Sequence, residues 1–141
     1  MKILIGCDHG GYEAKQQIVK WITENQICSF IDCGTYTTES CDYPDFAERV
    51  CADVASGEYD YGILICGTGI GMSMAANRNP KIRAGLCNSV ATAELTRQHN
   101  DANVLCLGAR VTPIDDILAI VKTFLETEFE GGRHEKRIKK F

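Results

Sequence analysis

Short apolar runs and stretches of helical periodicity take turns along this chain from its first residues onward. Lys2 to Cys7 reads as a strand, and Tyr12 to Asn25 as a helix with Ala14, Ile18, Trp21 and Ile22 on one face. Ile27 to Asp32 is a second strand. After a polar loop, Pro44 opens a helix whose Ala47, Val50, Cys51, Val54 and Ala55 follow the i, i+3, i+4, i+7, i+8 rule, and Gly57 stops it. Tyr61 to Cys66 is almost continuously apolar, as befits a strand covered on both faces, and a glycine-rich turn leads into a short helix ending before Pro80. Ile82 to Cys87 is the fourth strand, and Ser89 caps a helix running to about Gln98. Asn103 to Leu107 is the fifth strand, and Pro113 starts a long helix that turns Ile114, Ile117, Leu118, Val121, Phe124 and Leu125 inward. Gly131 and Gly132 then break the chain before a basic tail at about 131–141.

Strand and helix alternate about five times, which predicts an α/β fold: a doubly wound sheet of about five parallel strands with helices on both faces, in a single domain over residues 1–141. No linker, low-complexity tract or solenoid repeat interrupts it. Ligands in such sheets bind outside the carboxyl ends of the strands, so the strand-to-helix turns are where chemistry is expected.

Composition narrows the functional classes. Apolar residues make up 45% and charged residues 24%, enough for a real core and too balanced for disorder. No apolar run approaches the length of a bilayer crossing, and the N-terminus turns polar too soon for a signal peptide, so the expectation is a cytosolic protein with no membrane partner. Net charge is −4, yet Arg133 to Lys140 hold five basic residues against one acidic, leaving −8 on the rest. That body is wrong for a nucleic-acid binder, while the tail suits a small anion. The eight cysteines, at 7, 28, 33, 41, 51, 66, 87 and 106, include no Cys-x-x-Cys pair, so most are expected as small core hydrophobes. No His-x-x-x-His or clustered carboxylate set points to a metal, and metal-independent chemistry without a cofactor is expected.

Four segments carry candidate chemistry. Cys66-Gly67-Thr68-Gly69-Ile70-Gly71-Met72 runs from a strand through a glycine turn into a helix, so its backbone amides can converge on negative charge. Met72 stands where a dinucleotide fingerprint wants glycine, and no Gly-Lys-Ser/Thr follows, so a nucleotide fits poorly. Cys66 immediately precedes this turn, in the kind of setting that favours a thiolate, as base or nucleophile. At the end of the first strand, Asp8 and His9 precede Gly10 and Gly11, and either cap the next helix or touch substrate. His99 and Asn100 end the fourth helix. Arg133 and Arg137 lie one helical turn apart, so both guanidinium groups can grip one phosphate.

Five motifs together, Cys7-Asp8-His9-Gly10-Gly11, Asp42-Tyr43-Pro44, Cys66 to Gly71, Arg97 to Asn103 and Glu130 to His134, resemble the ribose-5-phosphate isomerase B (RpiB/LacA/LacB) family of sugar-phosphate isomerases in order and spacing over essentially the whole chain. The resemblance implies a Rossmann-like fold, a homodimer or dimer of dimers with active sites at the subunit interface, and interconversion of phosphorylated aldoses and ketoses through an enediolate. It implies Cys66 as the base between C2 and C1, Gly67, Thr68, Gly69, Ile70 and Gly71 around the enediolate oxygens, and His99 in ring opening, with Thr68 in the catalytic set. Asp8 and His9 then contact sugar oxygens, Tyr43 lines the cleft, Asn100 binds near the reacting carbons, and Arg110, Arg133 and Arg137 hold the phosphate. A family branch that uses a glutamate just after the glycine loop is not implied, since Met72 stands there. The expected substrate is ribose 5-phosphate, the alternative a six-carbon allose or galactose 6-phosphate. A nucleotide-binding regulatory module and a redox sensor built on Cys66 are the readings from other classes.

Overall fold

The computed structural model describes every residue, Met1–Phe141. Strands β1 (Lys2–Cys7), β2 (Ser29–Asp32), β3 (Tyr61–Cys66), β4 (Ala84–Leu86) and β5 (Val104–Gly108) form one sheet in the order β2-β1-β3-β5-β4, with every neighbouring pair parallel. Helices α1 (Tyr12–Asn25), α2 (Tyr43–Ala55), α3 (Ile70–Ala76), α4 (Val90–Asn100), α5 (Ile114–Glu126) and α6 (Arg133–Ile138) complete the chain.

Successive strand residues point to opposite faces, and here both faces are filled. Ile3, Ile5, Cys7, Ile63, Ile65, Leu105 and Leu107 pack against Ile18 and Ile22 of α1, Ala93 of α4, and Ile117, Ile120, Val121 and Phe124 of α5. Leu4, Leu64, Cys66, Val104 and Cys106 pack on the other face, against Val50, Cys51 and Val54 of α2 and Met72 and Ala76 of α3. The doubly wound α/β fold is therefore present as expected. No helix is long and apolar enough to cross a membrane.

The differences from the sequence reading have physical causes. β2 starts at Ser29 because its ladder partner Lys2 is where β1 starts, and β4 is only three residues long because the Arg83 amide bonds the Asn103 side chain instead of a strand. Trp21 is only partly buried, and Lys15 lies fully buried on α1 instead. Its ammonium pairs with the Asp32 carboxylate and donates to the Thr35 carbonyl at 2.6 Å, which anchors the β2–α2 loop. Ile114, expected inward, is exposed, and Ile120 takes its place in the core.

All eight cysteines are free, and Cys7, Cys33, Cys51, Cys66, Cys87 and Cys106 are buried. Burial pushes the Cys7 thiol up to about 12, against the pull of Lys15, and pushes Cys51 and Cys87 up to about 11. Below the unfolded value of about 8.5, both states keep the proton; above it the unfolded chain ionises first, so folding stability falls as pH rises. Urea unfolding is expected to weaken between pH 8.5 and 10.5, by about 1.4 kcal/mol per pH unit for each such thiol. Replacing Cys51 and Cys87 with alanine should flatten that slope; an unchanged slope contradicts the assignment.

Candidate active site

The winding reverses direction between β1 and β3, and β5 lies on the far side of β3, so the turns after these three strands meet at one edge. Cys7 pairs with Ile65 and Cys66 with Gly108, which sets Asp8 level with Cys66, and Gly67 level with Ala109. The Asp8 amide donates to the Ile65 carbonyl at 3.2 Å, and the Ala109 and Arg110 amides donate to Cys66 and Gly67 carbonyls, both at 2.9 Å. Backbone bonds thus tie the three turns together.

Cys66 closes β3, and its sulfur accepts the Gly69 N–H at 3.1 Å. Gly69 has φ +78, and a Cβ there would fall 2.5 Å from Leu86, so this close turn requires glycine. The Ile70 amide goes to the Thr68 hydroxyl at 3.3 Å, while those of Gly67, Thr68, Gly71 and Met72 find no acceptor in the protein. Tyr43, at the start of α2, lies so close to Gly71 that a Cβ there would sit 2.5 Å from its ring. The result is a thiol bordered by unused donors, with Tyr43 as its side wall.

A guanidinium and an imidazole lie beside it. The Arg110 guanidinium crosses both glycine turns, within 3.2 Å of a Cβ position on Gly67 and 3.4 Å of one on Gly10. His9 Nδ1 accepts the Cys41 amide at 3.2 Å, so Nε2 carries the ring proton and is the donor. His9 and Arg110 rim a cleft of about 740 Å³ that runs between α1 and α5 past Gln17, Thr38 and Ile117. Cys66 is not on its wall; the cleft meets the glycine turn through Gly10 and Arg110, which both lie against Gly67. The buried Thr112 hydroxyl, also on that wall, has no partner within the protein. Asp8, which the sequence left between cap and ligand, caps: its Oδ1 accepts the Gly10 and Gly11 amides at 2.9 and 3.2 Å. Its other oxygen has no protein partner.

His99, Asn100, Arg133 and Arg137 are not brought to this edge. α4 leaves the carboxyl end of β4 and returns to the amino end of β5, so His99 and Asn100 lie at the opposite rim of the sheet. Asn100 borders Arg83 and Asn77 there, and the ladder from Val104 to Gly108 separates that rim from Cys66 by four residues, roughly 13 Å. α6 joins the same group, since the His134 ring stacks on the His99 ring with centroids 4.2 Å apart. Arg133 and Arg137 are exposed on α6 and pair with no carboxylate. One chain therefore carries two half-sets at opposite rims.

The nitrogen and oxygen atoms of His99, Glu130 and His134 lie within 4.8 Å of one another, but the two rings are stacked at 13°. Lone pairs in stacked parallel rings cannot converge on one tetrahedral ion. Sequence reasoning missed Lys15, Thr112, the Cys41 contact to His9 and the His134 stack. Only Thr112 carried a local hint, standing two residues beyond Arg110.

Fold and site together define an α/β protein that carries a thiol and unused amide donors at the carboxyl edge of its sheet. Residues 3–141 match the Ribose/Galactose Isomerase family, and the chain belongs to that family. It is 47% identical over 137 residues to the ribose-5-phosphate isomerase B of Escherichia coli, covering 97% of this chain and 91% of that protein. The structure of Clostridium thermocellum ribose-5-phosphate isomerase B matches at 51% identity and TM-score 0.96, over 99% of this chain and 94% of that one. That of Mycoplasma genitalium ribose-5-phosphate isomerase B, with bound ribulose-5-phosphate, matches at 44% identity and TM-score 0.93, over 99% and 92%.

Proposed function

We propose that this enzyme interconverts ribose 5-phosphate and ribulose 5-phosphate through an enediolate, with Cys66 as base and no metal. The observation that carries the reading is the Gly69 N–H directed at Cys66 Sγ amid amides that have no other acceptor. The thiolate takes the C2 proton of the open-chain aldose, and the electron pair passes through C1 to its carbonyl oxygen. Amides of Gly67 and Gly71 receive that charge, an arrangement worth several kcal/mol in a water-poor site. The thiol then returns its proton to C1, while Thr68 Oγ1 moves the hydroxyl proton from O2 to O1, leaving a carbonyl at C2.

Arg110 binds the phosphate from this side, while Asp8 and His9 contact sugar oxygens. A second copy completes the site, because His99, Asn100, Arg133 and Arg137 stand together at the far rim of their own chain. Two-fold pairing places each copy's far rim over the other's Cys66. Exposed Ile70 and Met74, successive on one side of α3 beside the glycine loop, are apolar surface suited to that contact. Asn100 then lies near C1 and C2, His99 opens the furanose ring, and the two arginines close on the phosphate, whose binding energy orients the reacting carbons. Eight free thiols fit a reducing compartment, the cytosol.

The test compares sugars. Turnover on ribose 5-phosphate should exceed that on allose 6-phosphate and galactose 6-phosphate by about tenfold or more in kcat/KM, and survive exhaustive chelation. A reversed order would make this a six-carbon isomerase, and activity restored only by a metal would overturn the metal-free mechanism.

A further inference from the structure

His134 has no part in the chemistry described so far, yet its surroundings are unusually well determined for a residue in a terminal helix. It is the second residue of α6, next to Arg133, and is 7% exposed, between the exposed Arg133 and Arg137. Its imidazole lies face to face on that of His99, with centroids 4.2 Å apart and planes 13° from parallel. Its Nε2 stands 3.5 Å from the Glu130 carboxylate, one helical turn earlier in sequence. The Glu130 backbone is tied to α4, because its amide donates to the Gln98 carbonyl at 3.1 Å, and Gln98 is the neighbour of His99. The loop before α6, the first turn of α6 and the last turn of α4 thus form a closed circuit around one pair of rings.

His99 sits on the last turn of α4 and is half-buried. With one ring face covered by His134, it offers its edge in a single plane. A proton-transfer group needs that restriction, since small misplacements of a reacting group cost large factors in rate. The covering ring also has to remain uncharged beside an imidazole that gains and loses a proton. Burial, then His99 and Arg133, push His134 below the usual imidazole range, while Glu130 pulls the other way.

We propose that His134 is a positioning residue for the isomerisation: its buried ring, stacked face to face on that of His99, fixes the plane of His99 for ring opening in the site of the second copy. The proposal rests on the reading of His99 given above.

Steady-state kinetics on ribose 5-phosphate with the full chain test it, using His134→Ala, His134→Phe, His99→Ala and the His99→Ala/His134→Ala double variant. His134→Ala should lower kcat about tenfold while KM stays within about twofold. His134→Phe, which keeps a flat ring on His99, should recover most of that loss. In the His99→Ala background, removing His134 should cost no more than about twofold, because the group it positions has gone. If His134 only supports α6, Arg133 and Arg137 lose the phosphate and KM rises instead; that pattern overturns the proposal, as does a phenylalanine variant as slow as the alanine one. If His99→Ala turns over like the wild type, the ring-opening reading itself falls. If His99→Ala is impaired while His134→Ala is not, only the positioning role falls.

Discussion

Two inactive variants, Cys66→Ala and His99→Ala, should regain activity when unfolded, mixed in equal amounts and refolded together. The prediction follows from the two half-sets at opposite rims of the sheet. In a two-fold dimer each site takes Cys66, the glycine loop and Arg110 from one copy, and His99, Asn100, Arg133 and Arg137 from the other. A mixed dimer then has one site carrying both lesions and one site carrying neither. Random pairing gives about half mixed dimers, so the recovered activity should be about a quarter of wild type. Measured against parents at least a hundredfold below wild type, this is a large gain. A mixture no more active than its parents would show that each chain assembles its own site, and the proposed pairing would be wrong.

The second large effect is that of Cys66→Ala alone. Removing a general base typically costs about 10²–10⁴-fold in rate, and here the loss should fall on kcat with KM almost unchanged, because in the proposed mechanism the sulfur meets the reacting carbons and not the phosphate. Stability should fall by only about 1 kcal/mol, since the substitution removes one buried heavy atom at the end of β3. Cys66→Ser is the sharper control: it keeps a polar atom for the Gly69 N–H, yet a serine hydroxyl is far less acidic and should restore almost nothing. Replacing Cys106, which is fully buried behind the same sheet face, should leave kcat near wild type.

How much of this was legible before the structure differs by element. The sheet was readable because β1, β3 and β5 are apolar on both faces, and no helix pattern fits such short runs. The glycine loop was readable because close contacts require it: Leu86 against Gly69 and Tyr43 against Gly71 leave no space for a Cβ. The buried cations were not readable. Lys15 and Arg97 occupy helical positions that look solvent-facing in a single sequence; Asp32 holds the first from a distance, and the second joins its local partners Asp101 and the Ala102 carbonyl to the remote Tyr61 hydroxyl and Thr127 carbonyl. The Cys41 amide reaches His9 across 32 residues of sequence, which no local pattern encodes. Periodicity also could not reveal that β5 inserts between β3 and β4. The placement of His99 at the rim opposite Cys66 emerges only once the strands are laid side by side.

The central claim is that the Cys66 sulfur carries the proton between C1 and C2, and isotope exchange tests it most directly. Ribulose 5-phosphate would be incubated with enzyme in deuterium oxide and deuterium at C1 followed by proton NMR. The wild type should introduce deuterium at C1 of the ketose and C2 of the aldose, whereas Cys66→Ala, folded and still binding the sugar phosphate, should introduce none above the uncatalysed rate. Exchange at the wild-type rate in Cys66→Ala would contradict the account, since some other group would then be moving the proton.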